Sequence, residues 1–265
     1  ASQVFNYRAS YAQEPAAMVD GLIVHGKLKP SEIALFTQRD SYGQAGYGGA
    51  MEAMRRHGLQ EVGEILHTRY ERNSMNVENA VAQLILADHP PRAVIMVGAY
   101  APCAKFIALA KKHGINALFL NVSFVGTQSL INALGDESED VIITQVVPHP
   151  LSDLPLVKNY REAMTNYAPE AQLSFGTLEG YIATMLFQHA MDRVEAPLSR
   201  QKIIDGLANL GTVDIGLGHP LTLTATRHQA SNQVWPTIVR NHQAMPFDWK
   251  LLSTMCESSR EGGRR

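Results

Sequence analysis

The chain has 265 residues, 45% of them hydrophobic and 7% aromatic, ordinary values for a globular protein and enough for one large or two modest domains. Its 23 Lys and Arg stand against 25 Asp and Glu, a formal charge of −2, which leaves no basic footprint for nucleic acid. No apolar run approaches the roughly 20 residues a membrane-spanning helix needs, so direct insertion into a bilayer is not expected.

Five short apolar runs predict strands at residues 33–37, 62–67, 93–97, 117–121 and 141–145. Helical stretches separate them at 41–57, 76–87 and 102–113, and another follows the fourth run at 127–134. This alternation predicts βαβ units, and hence an α/β fold with a parallel sheet covered by helices on both faces. The helix ends agree. Pro102 suits a first helical position, where its missing N–H costs nothing. Arg55, Arg56 and His57 precede Gly58, and Lys111, Lys112 and His113 precede Gly114. Cations in a last turn complement the carbonyl end of the helix dipole, and glycine supplies the left-handed cap, so these clusters are better read as caps than as binding patches.

The second half is different. Helices are predicted at 152–167, 174–194 and 199–210, but strands only at 221–224 and 233–240. On the longest helix Phe175, Leu178, Ile182, Met185, Leu186 and His189 share one face. Three amphipathic helices with so few strands imply a second lobe that is present in part. Residues 251–265 end in SSREGGRR and are expected to form a flexible tail.

Most chemical motifs are missing. The Gly-rich YGQAGYGGAM beginning at Tyr42 lacks both G-x-G-x-x-G and P-loop spacing, so its glycines are read as close helix-to-sheet packing. The ten histidines show no metal-ligand spacing, and no metal or cofactor is expected. Cys103 is read as a small buried hydrophobe, and a disulfide to Cys256 has no local support. Ser123, in NVSFVG, has neither the flanking glycines nor a base, so no catalytic residue is assigned. Asp40 and Glu71 are the acids nearest the predicted strand ends, and neither has an evident partner.

What remains is the set of residues just past the strands: Tyr42, Tyr100, Ser123 and Phe124. Open parallel sheets bind ligands along that edge. Tyrosine rings with a polar tip and a serine hydroxyl suit a partly apolar organic molecule bearing a carboxylate or amide.

The phrases IALFTQRDSYGQAG, AVIMVGAYAPCAKFIALAKKHG, FLNVSFVGTQSL and SFGTLEGYIA, in this order, resemble the type I periplasmic binding proteins. The likeness is to the branched-chain amino-acid (Leu/Ile/Val) binding family that serves ABC importers, and it covers about residues 5–240. It implies two α/β lobes with crossovers near Arg8, Val147 and Asn232. Residues 9–146 plus 233–250 would form a complete C-terminal lobe, and 147–231 the later part of an N-terminal lobe whose opening segment is missing. The family's ligand-contacting tyrosines match Tyr42 and Tyr100, and its acidic residue for an α-ammonium falls on Ser123. With Phe124 and, from the other lobe, Phe175 adding apolar surface, the resemblance implies an acid or amide ligand without a free ammonium. It further implies a periplasmic or otherwise extracytoplasmic protein, not an enzyme, that closes on its ligand and meets an ABC permease or a membrane signalling partner. Two other readings stay open: the ligand-sensing domain of a cytoplasmic regulator, and an enzyme on a flavodoxin-like lobe pair.

Overall fold

The computed structural model describes residues 3–256. Its strands are β1 (Ile33–Gln38), β2 (His67–Tyr70), β3 (Ala93–Val97), β4 (Leu118–Asn121), β5 (Ile142–Gln145), β6 (Gly211–Val213), β7 (Leu221–Leu223), β8 (Trp235–Arg240) and β9 (Gln243–Pro246). Its helices are α1 (Gln13–Val24), α2 (Ser41–Arg56), α3 (Glu78–Ile85), α4 (Tyr100–Lys112), α5 (Thr127–Leu134), α6 (Pro155–Tyr167), α7 (Phe175–Met191) and α8 (Arg200–Ala208). The chain divides into two compact units, Ser10–Gln145 with Pro236–Arg265, and Ala1–Ala9 with Val146–Trp235.

The larger unit is a seven-stranded sheet in the order β2-β1-β3-β4-β5-β8-β9. Strands β2, β1, β3, β4 and β5 run parallel, with Leu35 opposite both His67 and Ile95, and Leu120 opposite Ile142. Successive side chains point to opposite faces. Leu35, Ile95, Leu120 and Ile142 pack under α1 and α2 against Met18, Leu22, Met51 and Met54. Phe36, Met96, Phe119 and Ile143 pack under α3, α4 and α5 against Leu84, Phe106, Ile107 and Leu130. All of β1 and β3 is therefore buried, which is why β3 reads as a continuous apolar run.

The glycines of α2 do what their spacing suggests. A Cβ on Gly43 would strike the Gln38 carbonyl, one on Gly46 would sit 2.6 Å from a Val97 methyl, and one on Gly49 would strike the Ala12 backbone. Three glycines three apart thus bring α2 down onto β1, β3 and the start of α1.

The smaller unit packs α6, α7 and α8 with the β6–β7 hairpin, and Asn6 bridges to Gln229. Tyr160, Leu178, Ile182, Leu221 and Leu223 form its core. On α7, Leu178, Ile182, Leu186 and Ala190 are buried, while Phe175 and Met185 pack at the margin.

The structure corrects several expectations. The second strand lies at His67–Tyr70 rather than 62–67, and Val62–Glu64 is a 3-10 turn. This edge strand alternates half-buried and buried residues, so its apolar run lies ahead of the strand and not in it. Helix α1 was not predicted at all. Its signature is local: Ser10 Oγ accepts from the Gln13 N–H at 3.3 Å, and Gln13 Oε1 accepts from the Ser10 N–H at 2.7 Å. That is a reciprocal capping box. The expected flexible tail begins too early. Residues 249–251 form a 3-10 turn and 252–256 a helical turn, with Leu252 and Cys256 buried and Arg92 donating to the Cys256 carbonyl at 2.8 Å. The remainder of that tail, residues 257–265, lies outside the described residues. Both cysteines are buried, and no disulfide joins them. Burial pushes the Cys103 thiol well above its ordinary range, so it is no nucleophile.

Candidate functional site

In the larger unit three aromatic rings meet past the strand ends. Tyr42 stands in the first turn of α2, held there by Asp40, whose Oδ1 caps the helix by accepting the Gly43 N–H at 3.1 Å. The Tyr42 ring meets Tyr11 edge to face at 4.8 Å between centroids and Phe124 at 5.1 Å. Tyr11 and Phe124 close the triangle at 5.7 Å. Such geometry suits the ring quadrupoles and builds an apolar wall. Phe124 is 57% exposed, so part of that wall faces outward. The Tyr42 hydroxyl is buried without a hydrogen-bond partner, and burial raises its pKa well beyond the usual phenol range.

Ser123 begins the turn after β4. Both its donors go to one carboxylate. The Ser123 N–H donates to Glu14 Oε2 at 2.7 Å and the hydroxyl donates to Glu14 Oε1 at 2.9 Å. Glu14 is fully buried in the first turn of α1 and also accepts the Thr144 hydroxyl, from β5, at 2.7 Å. Sequence reading missed Glu14 and Tyr11, because both flank the start of a helix it did not recognise.

A second network fixes the other strand ends. Tyr70 Oη accepts the Ala99 N–H at 2.9 Å and donates to Gln38 Oε1 at 2.8 Å. Gln38 Nε2 donates to Asp40 Oδ2 at 2.5 Å. The start of α2 and the residue before α4 are thereby tied through one phenol. Partial burial opposes the Asp40 charge, yet the Gly43 N–H, the Gln38 amide and Arg72 together hold its pKa below the ordinary carboxylate value. Asp40 is committed to this capping, and Glu71 pairs with Arg39 at 2.8 Å. Neither acid is poised as a general base. Among the described residues no cluster of three His, Cys, Asp or Glu could hold a metal ion. No described helix is long and apolar enough to cross a membrane.

The residues predicted for the site are placed unequally. Tyr42, Ser123 and Phe124 gather around Tyr11 and Glu14. Tyr100, the first residue of α4, belongs to the same sheet edge but stands 46% exposed outside the ring cluster. Phe175 lies in the smaller unit, as the first residue of α7, where its ring meets His149 edge-on at 5.7 Å. Ser174 caps that helix, its Oγ accepting the Thr177 N–H at 3.1 Å. Nearby, Arg8 pairs with Glu179 at 3.4 Å.

Comparison with known proteins completes the description. No curated protein matches the chain. Among solved structures it is similar to a possible leucine/isoleucine/valine-binding protein from Rhodopirellula baltica SH 1, with 48% identity and a TM-score of 0.89 over 94% of this chain and 67% of that one. It is also similar to a substrate-binding periplasmic protein from Ralstonia solanacearum, with 25% identity and a TM-score of 0.78 over 93% of this chain and 69% of that one. A fatty acid ABC transporter substrate-binding protein from Thermomonospora curvata shares the fold, with 18% identity and a TM-score of 0.77 over 94% of this chain and 66% of that one. The family model described as periplasmic binding protein matches residues 1–243. The chain belongs to the periplasmic binding proteins, a family of extracytoplasmic solute-binding proteins that are not enzymes.

Proposed function

We propose that this chain is the ligand-holding part of an extracytoplasmic solute-binding protein that captures a small organic acid or amide and delivers it to an ABC permease. The observation that carries this reading is the outward-facing Tyr11–Tyr42–Phe124 wall beside Ser123 at the strand ends. An apolar wall next to a few fixed polar groups is the composition of a small-molecule site. The strong likeness to a possible leucine/isoleucine/valine-binding protein favours an aliphatic body for the ligand. Residues 9–146 plus 233–250 act as the complete lobe that carries this wall.

A thermal-shift screen of aliphatic acids, amides and amino acids on the full chain tests the reading. Stabilisation by at least one aliphatic probe is expected. The best probe then goes to calorimetry against Tyr100→Ala, which should weaken binding more than about tenfold while leaving the circular dichroism spectrum unchanged. Unchanged affinity would remove Tyr100 from the site.

A further inference from the structure

We propose that Tyr70 is a positioning residue for ligand binding: itself buried, it sets where Tyr100 meets the ligand by seating the turn that enters α4. The inference rests on the ligand-binding reading above, in which Tyr100 contacts the ligand.

Tyr100 is the first residue of α4 and stands 46% exposed, so the backbone beneath it has the larger part in placing its ring. The N-cap residue of that helix is Ala99, whose methyl group cannot accept a capping bond. The entry of α4 is held by Tyr70 instead. The Tyr70 oxygen accepts the Ala99 N–H at 2.9 Å. The preceding residue rests on the same phenol. A Cβ on Gly98 would lie 2.9 Å from Tyr70 Oη and 2.9 Å from Cys103 Sγ. Any side chain at position 98 would therefore push the turn off this seat. The seat itself is firm. Tyr70 is buried on β2, and its ring stacks on Phe36 of β1.

The direction of the bond is fixed as well. The pKa of Asp40 lies below the ordinary carboxylate value, and an ionised carboxylate only accepts. It accepts Gln38 Nε2 at 2.5 Å, which leaves Gln38 Oε1 to accept the Tyr70 hydroxyl proton at 2.8 Å. The Tyr70 oxygen then offers a lone pair to Ala99. Asp40 Oδ1 also caps α2 at the Gly43 N–H, one residue after Tyr42. One chain of hydrogen bonds thus runs from the first turn that carries Tyr42 to the residue before Tyr100. Moving the middle of that chain moves Tyr100 relative to the aromatic wall, with no change to any group proposed to touch the ligand.

The experiment titrates the full chain by calorimetry with 4-methylpentanamide, 4-methylpentanoate and leucine, and keeps the tightest as probe. Each variant is measured at a temperature where circular dichroism shows it folded. Tyr70→Phe keeps the ring and removes the oxygen, and should weaken binding about five- to tenfold. Gly98→Ala displaces the same turn by steric contact and should weaken binding at least about threefold. A role in stability alone would lower the melting temperature and leave these affinities unmoved. A double-mutant cycle decides whether the effect passes through Tyr100. Tyr100→Ala alone should weaken binding more than about tenfold, and adding Tyr70→Phe should change it less than about twofold further. Unchanged affinity in Tyr70→Phe overturns the proposal. So does a full additive loss when Tyr70→Phe is combined with Tyr100→Ala. If Tyr70→Phe fails to fold, Gly98→Ala is read by the same two outcomes. A silent Tyr100→Ala takes Tyr100 out of the site, and the proposal falls with that reading. If none of the three probes binds wild type, the proposal falls with its ligand class. The broader binding reading then stands or falls separately, on whether any other small molecule raises the melting temperature.

Discussion

Tyr70 and Ala99 meet through a single bond, the Ala99 N–H reaching the Tyr70 oxygen at 2.9 Å, and that bond aligns the entry of α4 with the end of β1. The phenol is almost fully buried, and its ring stacks on Phe36 at 5.1 Å. Removing only the oxygen would leave an amide and the Gln38 carbonyl oxygen without this partner. Tyr70→Phe should therefore cost about 2–3 kcal/mol. In thermal unfolding this corresponds to a fall of roughly 4–10 °C. A fall under about 2 °C would show that the two loops hold their positions without it.

Tyr42 makes the opposite case. Its hydroxyl is buried with no hydrogen-bond partner, so Tyr42→Phe should leave stability unchanged or raise it by up to about 1 kcal/mol. The ring contacts with Tyr11 and Phe124 survive this change, whereas Tyr42→Ala removes them and should cost about 3–5 kcal/mol. Chemical denaturation of the three proteins gives the order.

Two glycines on α2 should respond with opposite signs. A Cβ on Gly46 would lie 2.6 Å from a Val97 methyl, so Gly46→Ala should destabilise by about 1–3 kcal/mol through overpacking. Gly48 has open space around its missing Cβ, and Gly48→Ala should stabilise by up to about 1 kcal/mol through helix propensity. Equal effects at the two positions would contradict the packing of α2 on the sheet.

His67 gives a pH signature. Burial first, and the neighbouring Arg69 second, lower its pKa from 6.5 to about 4. The folded chain thus resists a proton that the unfolded chain accepts. The resulting stability is complete above about pH 6.5 and is lost as pH falls toward 4. Its imidazole accordingly bonds Thr37 at 2.8 Å and stacks on Tyr47 at 4.3 Å. Titration by NMR should keep His67 neutral until about pH 4, and His67→Gln should flatten the stability curve between 6.5 and 4. An inflection near 6.5 would refute the assignment.

Much of the larger unit was legible because burial on both faces writes itself into sequence. Strand β3 lies at Ala93–Val97 and α5 at Thr127–Leu134, as the apolar run and the helical stretch predict. Elements with one exposed side were harder. Strand β2 alternates, β6 has three residues, and β9 is a short, mostly exposed edge strand reached through Asn241 and His242, both at positive φ. Helix α1 was lost because the Ser10–Gln13 box that starts it went unread. That omission also hid half of the candidate site. Tyr42, Ser123 and Phe124 could be picked out as strand-end residues, but no local pattern pairs Ser123 with Glu14 or Tyr42 with Tyr11. Those pairings are tertiary.

The contact of Gly43, Gly46 and Gly49 with the layer beneath them bears on how such a protein could change its cargo. Tyr42 rides on a helix that these glycines hold close to the layer beneath it. On the site proposed above, adaptation to a new solute would proceed by exchanging outward side chains such as Tyr100 and Phe124. On that reading the scaffold would set where a ligand is met, and a few outward positions would set what it is.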